Sequence, residues 1–203
     1  MRRATILIAL LSVVLLSGCA ADADSQASKK LAIEQVKAPF SSGAITVQLQ
    51  ADPDLNSLNG IANSCTVLII QANKAETLTQ LFSTPLTLKN LFRAAGSHND
   101  ILKIDRYAAM PGQNATLHID RSENTRFFAI VAGYYPFPQS QHMALVPVPV
   151  TSTKSGWLRP GWQAHLTPVT LNIRLGSDSI SQFSGAEKAP FTLNNTAPTD
   201  TGE

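Results

Sequence analysis

Arg126-Phe127-Phe128-Ala129-Ile130-Val131-Ala132-Gly133-Tyr134-Tyr135 is the most apolar run of the chain once its leader is set aside, and it belongs in the middle of a hydrophobic core. A second run, Thr66-Val67-Leu68-Ile69-Ile70, is apolar at both parities and reads as a central strand covered on both faces. Two further segments alternate instead. In Ala44–Gln50, Ile45, Val47 and Leu49 interleave with Thr46, Gln48 and Gln50; in Val169–Leu175, Val169, Leu171, Ile173 and Leu175 interleave with Thr170, Asn172 and Arg174. Each is a strand with one wet face.

Between these lie weaker elements. Ile101–Tyr107 reads as a strand, Pro111-Gly112 as the centre of a type II turn, and Ala115–Asp120 as another alternating strand with Leu117 and Ile119 inward. In Val146-Pro147-Val148-Pro149-Val150 the two prolines share a parity, so one side of that strand lacks donors and must be an edge. A short strand fits near Gln163–Leu166. Two helices come after the central strand: Asn73 can cap Lys74–Phe82, and Thr84 as N-cap with Pro85 at the first position opens a helix with Leu88, Leu91, Phe92 and Ala95 on one side and Gly96 as terminator. About seven strands at short spacing and one helical pair give an all-β fold, a two-sheet β-sandwich carrying a small two-helix insertion at residues 74–96.

The amino terminus has a different task. Met1-Arg2-Arg3 and the apolar run Ala4–Leu16 form a secretory leader, too short for a membrane helix of about 20 residues. Leu16-Ser17-Gly18-Cys19 resembles a bacterial lipobox, which makes Cys19 the lipidated first residue after removal of residues 1–18. Ala20-Ala21 lacks the Asp after the cysteine that is understood to retain lipoproteins at the inner membrane, so the expected location is the periplasmic face of the outer membrane. Residues 19–43 are polar without a sustained apolar period and read as a tether. The sandwich is expected over 44–180. Residues 181–203 are too poor in apolar side chains to offset ordering entropy and read as a mostly disordered tail.

Charge excludes one class of partner. Of 16 Lys and Arg, Arg2 and Arg3 leave with the leader, so 14 basic residues face 14 acidic ones; nothing argues for nucleic acid. Cysteine and histidine offer little chemistry. With Cys19 committed to lipid, Cys65 has no intramolecular partner and reads as a buried small hydrophobe. His98, His118, His142 and His165 are scattered singly, without metal-ligand spacing, and no phosphate loop or nucleophile elbow is present. No cofactor is called for. A Cys65–His118 pair, the basis of a hydrolase, requires the fold to bring the two together.

The loop from Asp52 to Asn63 is long for a compact domain and dense in turn formers. Asp54, Leu55, Asn56 and Leu58 are its candidate partner-binding residues, because two leucines in a polar loop either plug the core or meet a partner.

The order of these features resembles the TssJ (SciN/VasD) family of outer-membrane lipoproteins of the type VI secretion membrane complex. The resemblance rests on the Leu55-Asn56 loop and Gly60 leading to Ser64, the helical insertion with Phe82 and Leu91-Phe92, Pro111-Gly112, the run Thr125–Tyr134, and the final strand Val169–Leu175. Cys65, Ile70, Ala129 and Tyr135 stand where the family more often has proline, tyrosine, glycine and arginine. The resemblance implies a transthyretin-like sandwich, no catalysis, and a role in tying the periplasmic domain of the inner-membrane protein TssM to the outer membrane, with a loop between the first strands as contact. A generic periplasmic assembly or binding lipoprotein is the alternative.

Overall fold

The computed structural model describes residues 17–93, 100–137, 139–156 and 161–192, with side chains from Ser25 onward. The chain divides into two compact units: residues 38–149 with 167–203, and residues 1–37 with 150–166.

The larger unit is the sandwich. Its first sheet contains β1 (Ser41–Ala51), β4 (Asn114–Arg121), β9 (Val169–Leu175) and β10 (Ile180–Ser184), in the order β10-β9-β1-β4. β1 runs antiparallel to β4 but parallel to β9, in a register from Ile45 opposite Val169 to Ala51 opposite Leu175. The alternation in sequence is the alternation in burial: Ile45, Val47 and Leu49, and Leu171, Ile173 and Leu175, are all buried.

The second sheet, in the order β3-β2-β5-β6, is antiparallel throughout and contains β2 (Cys65–Ala72), β3 (Ile101–Ala109), β5 (Phe127–Ala132) and β6 (Met143–Pro147). Its two central strands are β2 and β5, the two runs apolar at both parities, because this sheet is covered twice. Leu68, Ile70 and Ala72, with Ala129 and Val131, pack against Leu78, Leu81 and Phe82 of α2 (Ala75–Phe82) and Leu88 and Leu91 of α3 (Pro85–Phe92). The opposite parity faces the first sheet. There Gln71, fully buried, donates from Nε2 to Asp120 O (2.8 Å) and accepts at Oε1 from Ser122 N (2.9 Å) and Thr125 Oγ1 (2.9 Å), so both ends of an amide that would otherwise be costly in a core are hydrogen-bonded.

The strand expected across Val146–Val150 ends at Pro147, the one proline within β6, and Pro149 lies outside any strand. Leu145 and Pro147 point their backbone polar groups to the same outer side, and Leu145 O accepts there from Ala189 N (2.8 Å) while Pro147 has no donor to leave unpaired. α3 begins with Pro85 after Thr84, although the Thr84 hydroxyl bonds Gln80 O instead of capping. Asn73 does not cap α2 either; Lys74 is the cap residue, and the Asn73 amide donates to Asn124 O. Ala95, Gly96 and His98 lie outside the described residues.

The smaller unit consists of α1 (Ser17–Glu34) and the hairpin of β7 (Val150–Ser155) and β8 (Gly161–Leu166). α1 packs on both strands; Trp162 Nε1 donates to Ser25 Oγ (3.3 Å) and Lys29 Nζ lies 5.2 Å from the centre of the Trp162 ring.

Three boundaries differ from the sequence reading. The tether expected over 19–43 is helical as far as Glu34, since Ala and Lys favour helix and the hairpin supplies a surface that no apolar period announced. The hairpin itself, expected within the 44–180 sandwich, groups with that helix. The tail expected to be disordered from 181 instead supplies β10, which pairs with β9, and continues to Phe191, whose ring lies 4.7 Å from that of Phe82. Residues 193–203 lie outside the described residues.

Candidate functional site

β1, β3, β5 and β9 end, and β2, β4, β6 and β10 begin, at one end of the sandwich, so the loops 52–64, 110–113, 133–142 and 176–179 gather there. The longest of them is tightly held. Leu55 N donates to Asp52 O (3.1 Å), Asn63 N to Leu55 O (2.9 Å), and Leu58 and Ile61 exchange both backbone hydrogen bonds (2.9 and 3.0 Å) around Asn59-Gly60. Asn59 (φ 52°) and Gly60 (φ 79°) occupy the left-handed region that a two-residue primed turn demands, which is the hairpin preference of Asn-Gly.

Asn56 organises the loop instead of presenting itself. Its φ is 46°, its Nδ2 donates to Ser64 O (2.9 Å), its Oδ1 accepts from Tyr135 N (3.3 Å), and its carbonyl accepts from Asn63 Nδ2 (3.3 Å). The neighbouring turn supports the loop from below: Asn56 N donates to Gly176 O (3.3 Å) and Ser57 N to Ser177 O (2.8 Å). At its base, Arg174 Nε meets Asp52 Oδ1 at 2.7 Å, and Gly112 N donates to Asp52 O (3.1 Å).

The four candidate residues therefore separate. Leu55 is fully buried and plugs the core; Asn56 is half-buried and structural; Asp54 and Leu58 are exposed. Exposed apolar side chains at this end also include residues the sequence reading passed over: Ile61 (68 % exposed), Met110 (56 %) and Tyr135 (71 %), beside Leu58 (48 %). Ile61 was legible from the Asn-Gly turn, which obliges its side chain to stand next to that of Leu58. Nothing in sequence brings Tyr135 to Asn56.

Cys65 is free and fully buried opposite Ala109, and burial pushes its thiol up to about 12. His118 is exposed on the other sheet, its ring 3.5 Å from Thr46 Oγ1, so the fold does not bring it to Cys65 as a nucleophile's base. His165 is exposed, and His142 is buried under the loop cluster. Among the described residues no group of His, Cys, Asp and Glu could hold a metal ion, and no helix is long and apolar enough to cross a membrane. Cys19 falls in the first turn of α1, and its side chain lies outside those described.

A sequence profile described as "Type VI secretion lipoprotein, VasD, EvfM, TssJ, VC_A0113" matches residues 43–178, two thirds of the chain. The chain belongs to this type VI secretion lipoprotein family. The match begins within β1 and ends at residue 178 in the 176–179 turn, taking in all of the loop cluster but Ser179 and leaving α1 and β10 outside. Among solved structures, the type VI secretion lipoprotein TssJ1 of Pseudomonas aeruginosa is 20% identical, with 75% of this chain and 99% of that one covered at a TM-score of 0.45. Lip of Serratia marcescens, a membrane-bound component of a type VI secretion system, is 15% identical, with 71% and 98% covered at a TM-score of 0.49. Comparison with curated proteins found no match.

Proposed function

We propose that the chain is anchored by lipid on Cys19 to the periplasmic face of the outer membrane and holds the periplasmic domain of TssM there, without catalysis. The family match over residues 43–178 carries this reading, because it spans all of the gathered loops but Ser179. The surface chemistry supports it: Leu58, Ile61, Met110 and Tyr135 expose apolar area on loops fixed at both ends, so a partner gains apolar burial at little cost in loop ordering. Asp54 adds a charge at the rim.

Anchoring and capture are tested together. Cys19→Ser leaves the protein without acyl chains, each of whose methylenes contributes about 0.8 kcal/mol of membrane affinity. In cells lacking TssM that variant should move from the membrane to the soluble fraction, and in cells containing TssM the lipidated parent should co-purify with it from detergent-solubilised outer membranes. A Cys19→Ser protein that stays with membranes in the absence of TssM contradicts the anchor; a lipidated parent that never co-purifies with TssM contradicts the partner.

A further inference from the structure

His142 lies beneath the loop cluster, 1% exposed, between the rings of Tyr134 (centroids 5.0 Å apart) and Phe137 (6.2 Å, stacked). Its Nε2–H donates to Asp178 O at 3.0 Å, which leaves Nδ1 as an acceptor, buried and with no hydrogen-bond partner among the described residues. That arrangement suits a neutral imidazole. A second proton would sit on Nδ1, out of reach of water and facing no acceptor.

The turn that His142 holds is the one that carries the loop. Gly176 N donates to Ser179 O (2.9 Å), Tyr134 OH donates to Ser179 O (2.8 Å), and the carbonyls of Gly176 and Ser177 receive Asn56 N and Ser57 N. Imidazole, turn and loop are thus linked in series by hydrogen bonds. We propose that His142 is a proton-sensitive latch: its neutral form locks the 176–179 turn and, through it, the loop 52–63, and its protonation in mildly acid conditions releases both. This rests on the loop end being the partner-binding surface.

The charges around the ring favour this direction. From the turn, Asp178 faces it, but that carboxylate also accepts Ser179 Oγ–H (2.8 Å). From the 133–137 segment comes Tyr134, whose phenol burial keeps neutral, with the Cys65 thiol of β2 and Asp52 acting on it in the same sense. Desolvation is the largest influence on His142 and pulls its pKa below the ordinary value; the carbonyl and carboxylate of Asp178 oppose it without prevailing. The sign follows. A group whose pKa is depressed in the closed state stabilises that state above the open-state pKa of about 6.5, and the closed state weakens as pH falls below it, up to about tenfold per pH unit until the closed-state pKa is reached.

Three amides report the latch: those of Asn56, Ser57 and Gly176. Hydrogen exchange of the free mature chain is measured at pH 7.5 and 5.5 and corrected for intrinsic exchange chemistry. Their protection should fall at pH 5.5, by up to about tenfold, while β1 amides such as Val47 hold theirs, and in His142→Gln the three should show the same protection at both pH values. Equal protection of the three in the parent at both pH values, or an undiminished fall in the variant, would overturn the latch. Should the variant unfold, the His142 ring resonances of the parent decide: titration below 6.5 together with the three amides supports the latch, and titration without them contradicts it. Because no partner is present, this result is separate from TssM capture, which is measured at pH 7.5 where His142 is neutral.

Discussion

At the scale of single residues, neighbouring side chains of like chemistry have opposite tasks. Leu55 and Leu58 are three residues apart in one loop, yet one is fully buried and the other half in water. Leu55→Ala should cost about 2–5 kcal/mol, as truncation of a buried leucine does, whereas Leu58→Asp should stay within about 0.5 kcal/mol in denaturant unfolding and act only on partner binding. Sequence offered the two leucines as equivalents, because a loop has no period from which to read inside and outside. Gln71 poses the reverse case: a polar residue just past the apolar Thr66–Ile70 run, which the structure makes the fastener between sheets. Gln71→Leu leaves Ser122 N and Thr125 Oγ1 without their acceptor and Asp120 O with only the long contact from Lys103 Nζ (3.5 Å), and a loss of about 2–4 kcal/mol is expected from urea unfolding with unchanged m-value. A change within about 0.5 kcal/mol would mean that water reaches those groups.

Among elements, legibility tracked periodicity. β1, β4 and β9 announced themselves by alternation, β2 and β5 by runs without alternation, and the edge position of β6 by Pro147, although Pro149 lies beyond the strand. β10 gave no such signal, because Ile180, Phe183 and Phe191 are spread among Ser, Gln and Gly. What docks it is backbone: Gly185 (φ 98°) passes so near the carbonyl of Thr170 that a Cβ there would collide with main chain. Gly185→Ala should therefore loosen β10 from β9 and Phe191 from Phe82, lowering stability by about 2 kcal/mol or more and exposing amides of residues 182–184 to faster exchange. Full protection in that variant would show that the strand holds without the close approach. α1 was missed for a related reason: its stability comes from Trp162 and Lys29 across to a hairpin more than a hundred residues away in sequence, not from a stripe of its own.

For the molecule as a whole, the sandwich, its helical cover and the family were all readable from the order of elements, since the core runs are long and the alternation of β1 and β9 is clean. The working end was half readable. Its long loop stood out by length and turn chemistry, but Tyr135 and Met110 reach the same end only through the pairing of β5 with β2 and of β1 with β4, which no local pattern encodes. The segment expected as a tether is not free along its length, because Ser25–Glu34 is wound into α1 and packed on its hairpin. The claim on which all of this converges is that the Leu58–Ile61 end binds TssM. Titration calorimetry of the mature Cys19→Ser chain against the periplasmic domain of TssM at pH 7.5 tests it directly, with a Leu58→Asp/Ile61→Asp variant of matched melting temperature alongside. The account predicts binding by the parent and a loss of at least about tenfold, 1.4 kcal/mol, in the variant; equal affinity in the two, or no binding by the parent, would contradict it.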